Sequence, residues 1–439
     1  MNILYLHSHD TGRYIQPYGY PVPTPHLQKL AEEGVLFRQA FCAAPTCSPS
    51  RAALLTGMAP HSNGMLGLAH FGFELNDYRQ HIIHTLRAAG YYSALAGMQH
   101  IDSWKKSGAP PGSRIGYDVI LTAEDMRQGK GYSTVEQRAI EFLRNHPPQP
   151  FFLSVGFEET HREFPEPAPD IQPGYLRPPA PLPDTPETRR DMAGFITSAR
   201  SLDHKMGQVL AALDETGLAA NTLVICTTDH GIAFPSMKCN LTDHGIGVML
   251  ILRGPGGFTG GKVSDALVSH IDLFPTICEL VGIEKPAWLQ GRSLLPLVRG
   301  EAEEIHEAIF SEVTFHAAYE PMRAVRTRRW KYIRRFEDRP GPVLPNTDDS
   351  PSKTLWMTHG WRSRPPAMEQ LYDLIFDPNE AHNLADDPAY APIRLEMEER
   401  LHAWMTATND PLLHGPISWP EGFTRVPADR ISPTEQEVF

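Results

Sequence analysis

The sequence predicts an α/β chain: a large mixed, mostly parallel sheet sandwiched by helices, followed by a smaller C-terminal α+β subdomain with an antiparallel sheet. Three observations lead there. Short apolar runs rich in β-formers alternate with longer helical patterns up to about residue 300. The pattern breaks after GRSLLPLVRGE, where strand-like runs follow one another before a closing helix. The length of 439 residues suits one large α/β domain with an appendage, although two or three domains also fit.

Taken in order, the strands are NILYLHS (2–8), YYSALAGM (91–98), PFFLSVGF (150–157), TLVICTTD (222–229) and VMLILRGP (248–255). Between them fall helices at HLQKLAEEG after Thr24-Pro25, in the segment following Arg51, at 81–90 and at 134–146. The clearest helix is RDMAGFITSARSLDHKMGQVLAALDETG, where Met192, Phe195, Ala199, Leu202, Met206, Val209 and Leu213 recur every three to four residues up to a glycine stop. That stripe is core packing rather than a binding face. Residues 164–186 carry nine prolines, too many for a helix or central strand, and predict an extended surface loop of the kind that borders sites. The C-terminal part reads as strands at 308–314 and 324–336, a polar Pro-rich stretch to about 366, a strand at 370–374 and a helix at 391–408. The expected division is a catalytic domain over 1–303 and a subdomain over 304–439 that contributes to the substrate pocket.

A net charge of −12 argues against nucleic acid or an anionic membrane as the main partner, since both reward an excess of Lys and Arg. An anionic substrate therefore needs a local cluster of positive charge. The five cysteines lack CxxC or zinc-ribbon spacing and do not form a disulfide framework; Cys42, Cys226, Cys239 and Cys278 are expected to pack as small apolar groups. MNILYLHSHD lacks the regions of a signal peptide, and no apolar run approaches the roughly 20 residues that span a bilayer. The expected location is cytoplasmic, or periplasmic or secreted if a signal peptide was removed.

Two features carry chemistry. In APTCSPSRAALLTG (44–57) a small nucleophile, Cys47, stands at the mouth of a helix with Arg51 four residues on, and unpaired N–H groups with the helix dipole favour anions there. The plainer alternative is that Ser48 or Ser50 caps the helix while Arg51 is solvated. The second feature is where the strands end: His7, His9 and Asp10; Gln99, His100 and Asp102; Glu158, Glu159 and His161; Asp229 and His230. In a parallel sheet such ends converge on one edge, where ligands bind. Asp10, Asp229 and His230 suit a divalent cation, Ca²⁺, Mg²⁺ or Mn²⁺, with the imidazole keeping Mn²⁺ open. Lys238, His100, His161 and Arg51 would supply positive charge and proton transfer beside it, as binding and transfer of a tetrahedral oxyanion require.

These residues resemble the formylglycine-dependent (type I) sulfatases of the alkaline-phosphatase superfamily. CSPSRAALLTG matches that family's Cys-x-Pro-Ser-Arg-x-x-x-Leu-Thr-Gly signature without a gap, and NILYLHSHD, TTDHG, LILRGPG, SHIDLFPTI and LYDL…DPNEAHNLADD extend the likeness over nearly the whole chain. Within the family it is most similar to heparan N-sulfatase (sulfamidase), notably in CSPSRAALLTGMAPHSNGM, GIAFPS and EPMRAVRTRRWKYI. The resemblance implies that a separate maturation enzyme oxidises Cys47 to formylglycine. One hydroxyl of that aldehyde's hydrate would attack sulfur and expel the substrate alcohol or amine, and the other would then lose its proton and expel sulfate as the aldehyde re-forms. It further implies that Arg51 holds the hydrate, His100 is the base of the elimination step, His161 protonates the leaving group and Lys238 grips a sulfate oxygen. Cys47 would join Asp10, Asp229, His230 and His9 around the metal.

Three positions depart from the family pattern. His9-Asp10 replaces Asp-Asp, Asp229-His230 replaces Asp-Asn, and Gly97-Met98-Gln99-His100 lacks the usual lysine, so Arg13, Gln99 or a group of a substrate-binding loop is expected to compensate unless the preferred substrate differs. His61 and His70 resemble a pocket-lining segment, and His316 and His244 are expected to reach the site from loops or to serve as structural hydrogen-bonding groups. Arg323, Arg326, Arg328, Arg329, Lys331, Arg334 and Arg335 read as a solvated strand face, one side of which would meet a polyanionic sugar. The preferred function is removal of an O-sulfate ester or N-sulfate from a sulfated saccharide or other small sulfate ester. Phosphonate monoester or phosphodiester hydrolysis is the alternative, because an Asp-His pair occurs in those related enzymes. A catalytically silent sulfated-glycan binder is the further alternative. A homo-oligomer is compatible with all three.

Overall fold

The computed structural model describes residues 1–102, 112–131, 133–423 and 426–434. Its strands, in chain order, are β1 (Asn2–Ser8), β2 (Val35–Phe37), β3 (Ala40–Phe41), β4 (Tyr92–Gly97), β5 (Val119–Ile120), β6 (Phe151–Gly156), β7 (Thr222–Thr228), β8 (Leu250–Arg253), β9 (Lys262–Ser264), β10 (Val268–Ser269), β11 (Ile309–Phe315), β12 (Tyr319–Arg326), β13 (Trp330–Arg335) and β14 (Glu369–Asp373). Eight of them form one sheet in the order β5-β4-β6-β1-β7-β8-β2-β9. β4, β5, β6, β1 and β7 run parallel, and β8 is antiparallel to both β7 and β2.

β1 shows why this sheet needs cover on both sides. Ile3 and Tyr5 point into one core cluster, while Leu4 and Leu6 point into the other, as the two-residue period of a strand requires. The long helix Pro186–Glu215 covers the second face with Leu202, Met206, Val209 and Leu213. Met192, Phe195 and Ala199, one to three turns earlier, pack instead with Tyr14, Ile232 and Phe234, so the predicted stripe is core along its whole length. Each Leu, Met, Phe or Val of the stripe contributes about 1.5–3 kcal/mol by leaving water.

β11 to β14 make a separate antiparallel sheet in sequence order, backed by the helix Ala391–Ala407 through Met397, Leu401 and Met405. This sheet is laced to the chain on both sides of residues 47–56: Glu312 N–H donates to Ala43 O and Phe315 N–H to Leu66 O.

Two sequence expectations are corrected. The single strand expected at 324–336 is two strands, β12 and β13, because Thr327 closes a turn with Trp330 through both backbone and hydroxyl. The arginine face is not solvated along its length: Arg323, Arg326 and Lys331 are buried and paired with Asp410, Asp243 and Glu380, so those three are unavailable to a polyanion. The helix expected after Arg51 already begins at Cys47. Among the described residues no helix is long and apolar enough to cross a membrane.

Candidate active site

The ends of β1, β4, β6 and β7 meet at one edge of the sheet, and the helix Cys47–Thr56 points its N-terminus at them. Pro49 sits in its first turn, where its missing N–H costs nothing, and Gly57 ends it at φ 68°, a left-handed turn that favours glycine. Ser48 and Ser50 do not cap this helix. The Ser50 hydroxyl donates to Asp229 O, and the Ser48 hydroxyl accepts from Ala69 N–H, so both tie the helix mouth to neighbouring loops.

Cys47 Sγ, the donor atoms of His9 and the carboxylate oxygens of Asp10 and Asp229 all lie within 4.8 Å of one another, and all four residues are buried. His230 Nε2 stands 3.4 Å from Cys47 Sγ, 3.2 Å from Asp10 Oδ1 and 3.7 Å from Asp229 Oδ2. A ring nitrogen of His100 lies within 4.8 Å of Cys47 Sγ and of a His9 nitrogen. Asp10 takes φ 56°, which turns its carboxylate back toward the site.

Burial opposes ionisation of both carboxylates, but their partners outweigh it. Lys238, His9 and His230 hold the Asp10 carboxyl well below its usual range, and His230, Arg51 and His9 do the same for Asp229. Lys238 Nζ is 2.8 Å from Asp10 Oδ2 and 3.0 Å from Asp348 Oδ2, and these two anions overcome burial to raise its pKa. Burial pushes the Cys47 thiol well above its ordinary pKa, with Asp10 and Asp229 adding to the rise, so the thiol itself is not a poised nucleophile. Burial, reinforced by His9, His70 and Arg51, keeps His100 neutral, and the His316 ring is lowered to about 3 by burial and by Lys238.

His161 is partly exposed at the rim, its Nε2 4.0 Å from Asp10 Oδ2. His70 stacks on His100, and its Nδ1 lies 3.3 Å from His100 Nε2. Arg51 does not face open space: it bonds Asp229 Oδ2 at 2.9 Å, Ser8 O at 2.8 Å and His7 Nδ1 at 2.6 Å, and so orients a carboxylate from behind.

Three predicted substrate ligands lie elsewhere. His61 follows the far end of the helix Cys47–Thr56, where its Nδ1 meets Glu312 Oε2 at 2.5 Å in a buried cluster with Asp410 and Arg323. Arg13 lies against the Phe41 ring and bonds Ala40 O, lining a cavity of about 310 Å³ shared with His244 and Arg326. Gln99 folds its amide onto its own loop, accepting from Ile101 N–H and Asp102 N–H, so it does not compensate for the absent lysine.

Sequence reasoning missed Asp348. It comes from the loop after β13 and reaches the site only because the C-terminal sheet docks beside Lys238. No local pattern in PNTDDSP marks it. His7 was placed at a strand end, but its ring contact with Arg51 needed the register of β1.

The family model described as Sulfatase matches residues 1–283, and the model described as N-sulphoglucosamine sulphohydrolase, C-terminal, matches residues 237–353. The chain belongs to the sulfatase family. This sulfatase is 31% identical over 471 residues to N-sulphoglucosamine sulphohydrolase of Homo sapiens, covering 94% of this chain and 92% of that protein. It is 28% identical over 468 residues to an ulvan-active sulfatase of Formosa agariphila, covering 93% of this chain and 75% of that protein. Among solved structures it resembles a phosphonate monoester hydrolase from Silicibacter pomeroyi with a TM-score of 0.71 at 21% identity, covering 98% of this chain and 99% of that chain. At that identity the likeness shows the fold, which is alkaline-phosphatase-like, and not the reaction. As a sulfatase, the chain is a sulfuric ester hydrolase with a large mixed sheet and a C-terminal antiparallel one.

Proposed function

We propose that this sulfatase hydrolyses an O-sulfate ester or an N-sulfate on a saccharide, using position 47 after its oxidation to formylglycine. The observation that carries the reading is Cys47 itself: an intact Cys-Ser-Pro-Ser-Arg helix mouth, inside a cage of His9, Asp10, Asp229 and His230, with His100 beside it.

The donor set fits a divalent cation. Two carboxylates, an imidazole and position 47 bring one donor atom each within 4.8 Å of one another, a spacing at which a single ion can bridge them. The share of imidazole favours Mn²⁺ over Ca²⁺. Asp10, Asp229, His9 and His230 would hold the ion, which supplies Lewis-acid stabilisation of charge on a sulfate oxygen. Formylglycine at position 47 would supply a hydrated aldehyde as nucleophile toward sulfur.

The remaining work falls to this chain's own side chains. Neutral His100 accepts a proton at a ring nitrogen near position 47. His161, at the open rim, donates one to the leaving oxygen or nitrogen. Lys238, charged at any ordinary pH, offers its ammonium to a sulfate oxygen. Arg51 keeps the Asp229 carboxylate facing inward.

The Asp229-His230 pair favours one second reading, hydrolysis of a phosphonate or phosphate ester. One experiment separates them. The chain is co-produced with a formylglycine-generating maturation enzyme, the peptide spanning Cys47 is weighed by mass spectrometry, and turnover of an aryl sulfate, N-sulfoglucosamine and a phosphonate monoester is compared with that of Cys47→Ala. The expected result is an aldehyde-mass peptide, sulfate release and a Cys47→Ala rate lower by at least about a thousandfold. A persistent thiol, or equal rates for the two chains, would end this reading; turnover of the phosphonate alone would install the second one.

A further inference from the structure

Two adjoining cavities lead away from His161, and a third lies farther along the helix that begins at Pro351. The first, about 630 Å³, is lined by His161, Arg162, Glu163 and Pro165. The second, about 220 Å³, shares Arg162, Glu163 and Pro165 and continues to Asp349 and Pro351. Pro351 opens the helix Pro351–Thr358, and that helix carries Leu355 and Trp356 into the third, about 470 Å³. Its other walls are Pro183 and Thr185, at the end of the proline-rich loop, with His359, Trp361 and Arg364.

The third cavity has the chemistry of a sugar site. Trp356 and Trp361 stand 5.1 Å apart at 85°, so they present two perpendicular aromatic walls, the surface on which the apolar face of a pyranose ring stacks. Arg364 is exposed and, among the described residues, makes no ion pair. No carboxylate is among the residues that line this cavity, in a chain of net charge −12. An aromatic floor with one free guanidinium complements a ring bearing an anionic group, and a sulfate suits the guanidinium fork best.

We propose that this tryptophan cavity is a distal subsite for a sulfated sugar of the same chain whose end reaches Cys47, which makes the protein selective for oligosaccharides over monosaccharides. The inference rests on the saccharide reading above. Its reach is set by the chain: Asp348 touches Lys238, three residues lead to Pro351 and five helical ones to Trp356. The Trp356 Cα therefore lies within about 18 Å of the Asp348 Cα, the span of a short oligosaccharide. Between the two ends the path is polar, and most carboxylates beside it are paired: Asp191 with Arg162, Glu159 with Lys205, Glu166 with Arg190 and Asp349 with Lys353. Glu158 and Glu163, which make no ion pair among the described residues, are exposed to solvent, where water and salt screen them.

The test uses the matured full-length protein with an aryl sulfate, a sulfated monosaccharide and the matching sulfated tetrasaccharide. Trp361→Ala and, separately, Arg364→Ala should raise KM for the tetrasaccharide about tenfold, as removal of an interface anchor does. kcat on all three and KM on the two small substrates should stay within twofold. Binding of the tetrasaccharide to a Cys47→Ala chain, followed by tryptophan fluorescence, should weaken by the same factor, a readout independent of turnover. Arg364 is exposed, so its variant folds even if Trp361→Ala does not. Unchanged tetrasaccharide KM and binding in Arg364→Ala, with aryl sulfate turnover intact, would overturn the subsite and leave the sulfatase reading standing. If the parent chain turns over the aryl sulfate but neither saccharide, the saccharide reading itself fails.

Discussion

Among the described residues Lys238 is the one ammonium in the buried cluster, and it is held by two carboxylates from different parts of the chain. Asp10 lies 2.8 Å away on the metal-binding side and Asp348 3.0 Å away on the C-terminal side. Were Asp10 its only partner, the ammonium would be drawn wholly onto a carboxylate needed for a cation; Asp348 draws it back to where a sulfate oxygen would arrive. Asp348→Asn should therefore lower kcat on an aryl sulfate by about tenfold to a hundredfold, the cost of misplacing a positioned group. Asp349→Asn, whose side chain meets Lys353 instead, should leave kcat within about twofold. Equal kcat in both variants would show that Lys238 needs no second anion. This residue marks a limit of reading the sequence. Cys47, Asp10, Asp229 and His230 were legible because each closes a strand or opens a helix at the sheet edge, where topology alone brings them together. Asp348 was not, because its position depends on how a second sheet docks, and no local periodicity encodes docking. Arg13 and Gln99 failed for the converse reason: their place in the chain was right, but side-chain direction sent them to Ala40 O and to the 99–102 loop.

At the scale of elements, the C-terminal sheet is fastened by ion pairs that the sequence disguised as a basic face. Arg323 on β12 is fully buried and forks onto Asp410, Nε to Oδ2 at 2.5 Å and Nη2 to Oδ1 at 3.0 Å, just beyond the helix Ala391–Ala407. It also meets Glu312 of β11 at 3.1 Å, and Glu312 in turn holds His61. One guanidinium thus joins two strands, the end of the closing helix and the loop beyond the Cys47 helix. The alternation along 324–336 correctly announced a strand-rich segment. It could not separate β12 from β13, because arginine is as compatible with a buried bidentate pair as with a solvated face. Asp410→Ala should lower stability by about 3–5 kcal/mol, the penalty for leaving a buried charge with one partner removed. Arg328→Ala, on an exposed hairpin charge, should change it by less than about 1 kcal/mol. Urea unfolding of both variants checks this, and a small loss in Asp410→Ala would mean that Glu312 alone satisfies Arg323.

Across the whole molecule, the two sheets are joined at a seam where Asp243, from the catalytic side, meets Arg326 and Lys331 of β12 and β13, with Glu380 closing the cluster. Glu380 also accepts the Asp243 backbone N–H. Burial raises the Glu380 carboxyl from 4.5 to about 7; Lys331 opposes the rise and Asp243 adds to it. Between these two values the folded chain keeps a proton that the unfolded chain has released, so the unfolded state binds fewer protons and stability falls as pH rises. Below the lower value both states are protonated and the term vanishes; above the upper one both are ionised and the loss is complete. Glu380→Gln removes the titration while its amide oxygen still accepts the Asp243 N–H. The variant should therefore melt close to the parent at about pH 5 and higher than the parent at about pH 8, with the gap opening between them. Thermal unfolding across that range decides it. A difference in Tm that stays constant with pH would place the Glu380 proton on and off equally in both states, and the seam would then be held by the Asp243 pairs alone.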